Sequence, residues 1–149
     1  TVKFPLTLKM DIMGTPLQVG ISSASNGSVL ASRIYDQIAP KLKDSIYKLQ
    51  TAEGVEVRDL LGQEVEVLGT LRVPCKFICA RGTNSVTEMI TFLVIKGGIV
   101  DGVIGWPEII SCNVYLLCRK GDNKLTFMNY NPPIEIALVE TEDVDPSKD

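Results

Sequence analysis

The chain has 149 residues, 45% of them hydrophobic and 22% charged, with a formal net charge of -3. That length suits one domain burying roughly two-thirds of its unfolded surface in a single core, so no disulfide framework or metal is needed to hold it together. A pI near 5.0, with Lys and Arg scattered rather than striped, supplies no source for the phosphate neutralisation that drives nucleic-acid binding.

Residues 4 to 13, "FPLTLKMDIM", alternate apolar and polar through Leu6, Leu8, Met10 and Ile12, which predicts a half-buried strand. "GTP" at 14 to 16 predicts a turn and "LQVGI" at 17 to 21 a second strand. This hairpin delivers the chain into Ser22, Ser23, Ala24, Ser25, Asn26, Gly27 and Ser28, a cluster of small hydrogen-bonding residues, before apolar Val29 and Leu30. "SVLASRIYDQIAPKL", 28 to 42, carries one short helix with Ser32 as its cap and Pro40 as its stop. Ile46, Tyr47 and Leu49 then lead into a turn at Glu53 and Gly54, and Val55 and Val57 lead out, as a hairpin with an exposed tip.

"QEVEVLGTLRVPCKFICA" supplies two more strands around Gly69, and "VTEMITFLVIKG", 86 to 97, a long strand rich in β-branched residues. In "IVDGVIGWPEII" a strand meets a glycine turn at Gly105 and a short helical turn begun by Pro107, and a hairpin follows around Gly121 and Asp122. Strand, small-residue turn, strand thus occurs twice, around Ser22 and around Gly105. Residues 132 to 149, ending in "VETEDVDPSKD", predict an acidic tail or linker, leaving residues 1 to 131 as the domain.

The chemistry open to this chain is narrow. It contains no histidine, so neither a serine nor a cysteine nucleophile has its usual base. There is no phosphate-cradling glycine loop and no dinucleotide fingerprint, so no cofactor is predicted. Cys75, Cys79, Cys112 and Cys118 lie in apolar strand sequence and are expected as small buried hydrophobes in a reducing, cytoplasmic setting, with no metal site. No apolar run approaches the roughly 18 to 20 residues of a membrane span, and "TVKFPLTLKMDIMG" lacks the pattern of a signal peptide.

The order of these parts resembles the retropepsins, the single-domain aspartic proteases of retroviruses and retrotransposons. "DGVIGWPEII", with Val103, Ile104 and Gly105 at a strand turn and Pro107 to Ile110 in a helix, is similar to the family's second signature. "VGISSASNGSVL" is similar to the first, with Ser28, Val29 and Leu30 matching its exit strand. The resemblance covers about residues 4 to 130 and implies an all-β fold: a small closed β-barrel of the retropepsin type with one or two short helices. It departs from the pattern where the chemistry would be. Aligned on Val29 and Leu30, the catalytic Asp position holds Ser22, the following Thr or Ser is Ser23, and the small glycine is Ala24.

In that family each subunit of a homodimer supplies one aspartate, and the two carboxylates share a proton. A serine hydroxyl is too weak an acid for either role near neutral pH. The resemblance therefore implies a catalytically inactive domain whose degenerate loop at Ser22, Ser23 and Ala24 survives as part of a homodimer seam. That seam is expected to include Ile21, Ile104 and Trp106, with terminal strands contributing Val2, Phe4 and Leu6. A flap at Ala52, Glu53 and Gly54 would cover a cleft able to hold a partner protein or extended peptide, in a retroelement-derived scaffold. Two alternatives stay open: an active protease using a different aspartate, with Asp11, Asp36 and Asp101 the nearest, or an unrelated β-barrel interaction domain.

Overall fold

A computed structural model describes residues 6–59, 61–78, 85–98 and 100–140. The chain begins with a hairpin of β1 (Leu6–Ile12) and β2 (Thr15–Ile21), paired from Ile12 with Thr15 to Thr7 with Gly20. The reversal is at Met13 and Gly14, both at positive φ, the backbone a two-residue hairpin turn demands. Asp11 fixes it by accepting the Gly14 N–H at 2.7 Å. Alternation does what the sequence leads one to expect: Leu8, Met10 and Ile12 are fully buried.

After the small-residue loop come β3 (Ser28–Ala31) and α1 (Ser32–Leu42). The one short helix expected within 28 to 42 occupies the second part of that stretch, while Val29 to Ala31 are drawn into a ladder with a later strand, β7 (Ser85–Ile95). Ser32 does not cap the helix. Ala31 occupies that position, and the Ser32 hydroxyl accepts the Gly97 N–H instead. The helix buries Ile34, Ile38 and Leu42, one turn apart, on one face. Pro40 lies inside the last turn rather than ending it, and Lys48 Nζ satisfies the Leu42 and Lys43 carbonyls beyond.

A small hairpin of β4 (Val57–Arg58) and β5 (Glu64–Val65) precedes the long β6 (Val67–Ile78), which pairs with β7 along its length. β8 (Gly102–Ile104), α2 (Trp106–Ser111), β9 (Val114–Leu117), β10 (Lys124–Phe127), β11 (Ile134–Ala137) and β12 (Val139–Glu140) complete the chain. Hydrogen bonding runs β1-β2-β8-β3-β7-β6 and returns from β6 to β1, closing a six-stranded barrel. Closure gives each of these six strands two neighbours, although β6 meets β1 only at Met10 and Asp11. β9, β10 and β11 form a separate antiparallel sheet, and β12 adds to the free stretch of β1 at Leu6 and Thr7.

The expected tail from residue 132 is therefore corrected over 134 to 140. Ile136 is fully buried and Leu138 nearly so, and Ile136 stands opposite Leu125 in the β10–β11 ladder. The acidic residues that follow lie outside the described residues. Among the described residues no helix is long and apolar enough to cross a membrane.

Phe77 and Phe127 join the barrel to the second sheet through a tilted ring contact at 5.0 Å. Cys75 and Cys112 belong to the same core, whereas Cys118 is exposed and Cys79 lies outside the described residues. Burial pushes the Cys112 thiol up to about 11, helped by the Glu88 carboxylate. Cys75 is raised further, by burial and then by Cys112.

Two outcomes follow. Ile136→Ala should lower unfolding free energy by about 2 to 5 kcal/mol in denaturant titration, the cost of a core cavity, whereas in a solvated tail it would cost almost nothing. A thiol reagent at pH 8 should label Cys118 while leaving Cys75 and Cys112 intact until the protein unfolds, as read by mass spectrometry. Because folding holds more protons on these thiols than the unfolded chain does, their contribution to stability is full below about pH 9 and falls as pH rises towards 11.

Candidate functional site

The site is made by a strand inserted between two others. β8 pairs parallel with β2 and antiparallel with β3, so the loop from Ser22 to Gly27 must arch over the end of β8 to connect its two neighbours. Ser22 donates its N–H to the Ile104 carbonyl at 3.0 Å, and Trp106 donates its N–H to the Ser25 carbonyl at 2.9 Å. The loop is thus sewn to both sides of Gly105. A Cβ on Gly105 would come 2.6 Å from the Gly27 carbonyl carbon and 3.0 Å from the Ser25 oxygen, closer than side chains approach backbone, so glycine is needed here for space.

Ser28 is the anchor beneath. It is 1% exposed; its hydroxyl accepts the Gly105 N–H at 2.9 Å and donates a hydrogen bond to the Glu108 carboxylate on α2. Glu108 in the first turn of α2 is also on the favourable side of the helix dipole. Pro107 sits near the helix start as expected, where its missing N–H costs nothing. Ser25 closes the loop internally, donating its hydroxyl to the Gly27 carbonyl at 2.6 Å. Above this frame Ser22 is half-buried, and Ser23 and Ala24 are exposed at the apex.

The three alternative aspartates stand elsewhere. Asp11 holds the β1–β2 turn. Asp101 pairs with Arg33 at 2.7 Å and accepts the Gln18 N–H at 3.0 Å, tying the approach to β8 to β2 and α1. Asp36 is exposed on α1, beside a groove of about 410 Å³ that Tyr35, Pro40, Leu42, Lys48 and Leu49 also line. Among the described residues no group of three or more His, Cys, Asp or Glu side chains converges as a metal site would require.

The flap-like segment differs from expectation in detail. Gln50 and Thr70 exchange two backbone hydrogen bonds of 2.8 Å at its base, and Val57 pairs with Val65 farther out. The chain reverses at Asp59 to Gln63, not at Ala52 to Gly54. The Asp59 carboxylate accepts the N–H groups of Leu61 and Gln63, both at 2.9 Å, and Gly62 supplies positive φ. Ala52, Glu53 and Gly54 lie on the ascending arm, where Gly54 at φ +69 makes a bend.

Of the expected seam residues, the structure brings together Ile21, Ser22, Ser23, Ala24, Ile104 and Trp106 around the β8 end. Ile104 is 4% exposed and belongs to the chain's own hydrophobic core. Leu6 is partly buried against the core, and its backbone pairs with Glu140. Val2 and Phe4 lie outside the described residues. Trp106 is 48% exposed, and Ile110, one turn on, is 58% exposed. Sequence reasoning missed Ile110, Tyr115 and Leu116, all exposed; the signal available was the uncharged run from Ile109 to Cys118.

No protein-family model and no curated protein sequence matches the chain. Among solved structures it is similar to the retroviral protease-like domain of Ddi1 from Leishmania major, at 15% identity over 96% of this chain and 100% of that one, with a TM-score of 0.61. It also matches the protease of EIAV complexed with the inhibitor HBY-793, at 20% identity over 78% of this chain and 94% of that one, with a TM-score of 0.48. The fold is retropepsin-like.

Gly105→Ala should destabilise the domain by about 1 to 3 kcal/mol through forced displacement of the loop. Ser28→Ala should cost a similar amount, about 1 to 3 kcal/mol, by leaving the Gly105 N–H and the Glu108 carboxylate without their shared partner. Chemical denaturation of both variants checks this, and an unchanged midpoint for either would remove that residue from the loop's support.

Proposed function

We propose that this domain is a catalytically inactive retropepsin-like module that forms a homodimer and holds a partner protein or extended peptide. The observation that carries the reading is Ser22. It stands where β2 ends and the loop over Gly105 begins, the position at which the resemblance expects an aspartate, and the sequence from Ile21 to Tyr35 contains no acidic residue. Aspartic protease chemistry needs one carboxylate to take a proton from water and another to give one to the leaving amine. Two serines cannot exchange protons in that way near neutral pH.

The substitution also removes a cost. Two carboxylates pressed together across a dry seam repel, and one is forced to stay protonated. Serines at the same place can donate and accept hydrogen bonds without charge. Pairing and peptide holding depend on backbone groups and apolar surface, and neither is lost with the carboxylates. A cytoplasmic scaffold derived from a retroelement is the setting this reading favours, with no nucleic acid and no membrane as direct partners.

The expected outcome is no cleavage of an unstructured substrate between pH 4 and 7 above the rate of substrate alone, and a dimer at tens of micromolar in sedimentation equilibrium. Ser22→Asp alone should restore little, because Ala24 adds a methyl at the position where the resemblance calls for glycine. Cleavage by the unaltered domain that a transition-state mimic of aspartic proteases blocks would overturn the inactive reading. A monomer would overturn the pairing.

A further inference from the structure

Asn26–Gly27 is the only Asn–Gly dipeptide in the chain, and it lies inside the loop that crosses Gly105. The two ends of Gly27 are held very differently. Its carbonyl accepts the Ser25 hydroxyl at 2.6 Å and lies against Gly105. Its N–H makes no hydrogen bond among the described residues, and neither does the Asn26 side chain, which is exposed. A Cβ built on Gly27 would meet nothing within 4 Å. The nitrogen that follows Asn26 is therefore uncrowded and unbonded, beside an unengaged side-chain amide.

Asn followed by Gly in a loop usually serves a turn, through positive φ and a side-chain bond back to the main chain. Neither reason holds here. Asn26 and Gly27 are both outside the positive-φ region, and the Asn26 amide bonds to nothing. Asn113 shows the contrast: its Nδ2 donates to Asn129 Oδ1 at 3.0 Å, and the next residue is β-branched Val114 in a strand.

We infer that Asn26 is a self-modifying site, at which the Gly27 main-chain nitrogen displaces the side-chain amide and water converts the product to a carboxylate. The Gly27 nitrogen gives up its proton and forms a bond to Asn26 Cγ. The Cγ–Nδ2 bond breaks, and Nδ2 leaves with that proton as ammonia. Water then opens the cyclic imide at one of its two carbonyls, giving aspartate or β-linked isoaspartate at position 26. Water is the sole co-reactant, and the redox state of every atom is unchanged. Glycine favours the ring closure because it has no Cβ to crowd the attacking nitrogen.

Either product puts a carboxylate into the stretch from Ile21 to Tyr35, which otherwise has none. Isoaspartate also adds a carbon to the main chain between two fixed points, the Ser25 carbonyl bonded by the Trp106 N–H and the Gly27 carbonyl bonded by the Ser25 hydroxyl. The apex loop thus passes with time from uncharged to anionic and from fitted to overlong. This holds whether or not the domain pairs or holds a peptide.

The experiment ages the whole 149-residue chain in mildly alkaline buffer and follows the tryptic peptide from Met10 to Arg33, in which Asn26 is the only asparagine. Mass spectrometry reads the amide-to-carboxyl exchange, and carboxyl methylation selective for isoaspartate reads the β-linked product. Conversion at Asn26 should be at least about tenfold faster than at Asn113, and Gly27→Ala, which the open space accommodates, should slow it at least about tenfold. The rate should rise with pH, because the attacking nitrogen must lose its proton. Aged protein should unfold at lower denaturant than fresh protein. A loop peptide that stays intact in the folded chain while the urea-unfolded chain converts would show that the loop protects Asn26 and would overturn the inference, as would equal conversion in Gly27→Ala. If that variant fails to fold, the comparison of folded with unfolded chain still decides.

Discussion

Everything at the candidate site depends on β8 lying between β2 and β3. That arrangement forces the intervening chain to cross over the end of β8, and the crossing leaves no room for a side chain at Gly105. Once the loop is pressed onto Gly105, its polar backbone has few ways to be satisfied, and the structure uses most of them. Ser22 and Trp106 bond across the crossing, and the Ser28 hydroxyl accepts the Gly105 N–H while donating a hydrogen bond to the Glu108 carboxylate. A buried polar network is stabilising only when each member is paired, and among the described residues no buried side-chain polar atom is left unpartnered. The small residues that look from sequence like an invitation to a substrate are required first by this crossing.

That distinction separates the loop's frame from its apex. Ser25, Ser28 and Gly105 serve the fold, whereas exposed Ser23 and Ala24 make no side-chain contribution to it. Ser22 is intermediate: its backbone belongs to the frame and its side chain faces the apex environment, half-buried. The frame does not depend on the side chain at 22, because that residue enters it through its backbone N–H, bonded to the Ile104 carbonyl. A serine at that position is therefore compatible with the retropepsin-like fold.

How much of this is legible in the sequence follows from how local each cause is. The β1–β2 hairpin is legible because period-two alternation through Leu8, Met10 and Ile12 is written in adjacent residues, and the long β7 because its β-branched run is continuous. The short helix after Gly105 is legible from Pro107. Features set by distant partners are not. Ser32 looks like a cap, yet the strand before it is claimed by β7, more than fifty positions on, and its hydroxyl by Gly97. Ile134 to Ala137 read as part of an acidic tail because the residues that bury them, on β10, give no local sign. The flap reversal is misplaced for a different reason: Glu53 with Gly54 and Asp59 with Gly62 are both good turn sequences, and the Gln50 and Thr70 bridge, a long-range contact, selects the second.

Closure offers a way to weigh the two parts of the molecule against each other. The barrel returns β6 to β1 and so shortens the unpaired edges that make sheets associate. The β9–β11 sheet cannot close, since three short strands lack the length and number to curl on themselves. It must end somewhere, and it ends on one edge with proline and charge and on the other with Leu116 half uncovered over the core. Burying exposed apolar surface is favourable at roughly 25 cal/mol per Å², but only a strand-shaped cover also satisfies the outward backbone groups of Val114 and Leu116. Among the described residues β9 therefore leaves an apolar edge uncovered one short helix from the loop, where a covering strand would meet both needs at once.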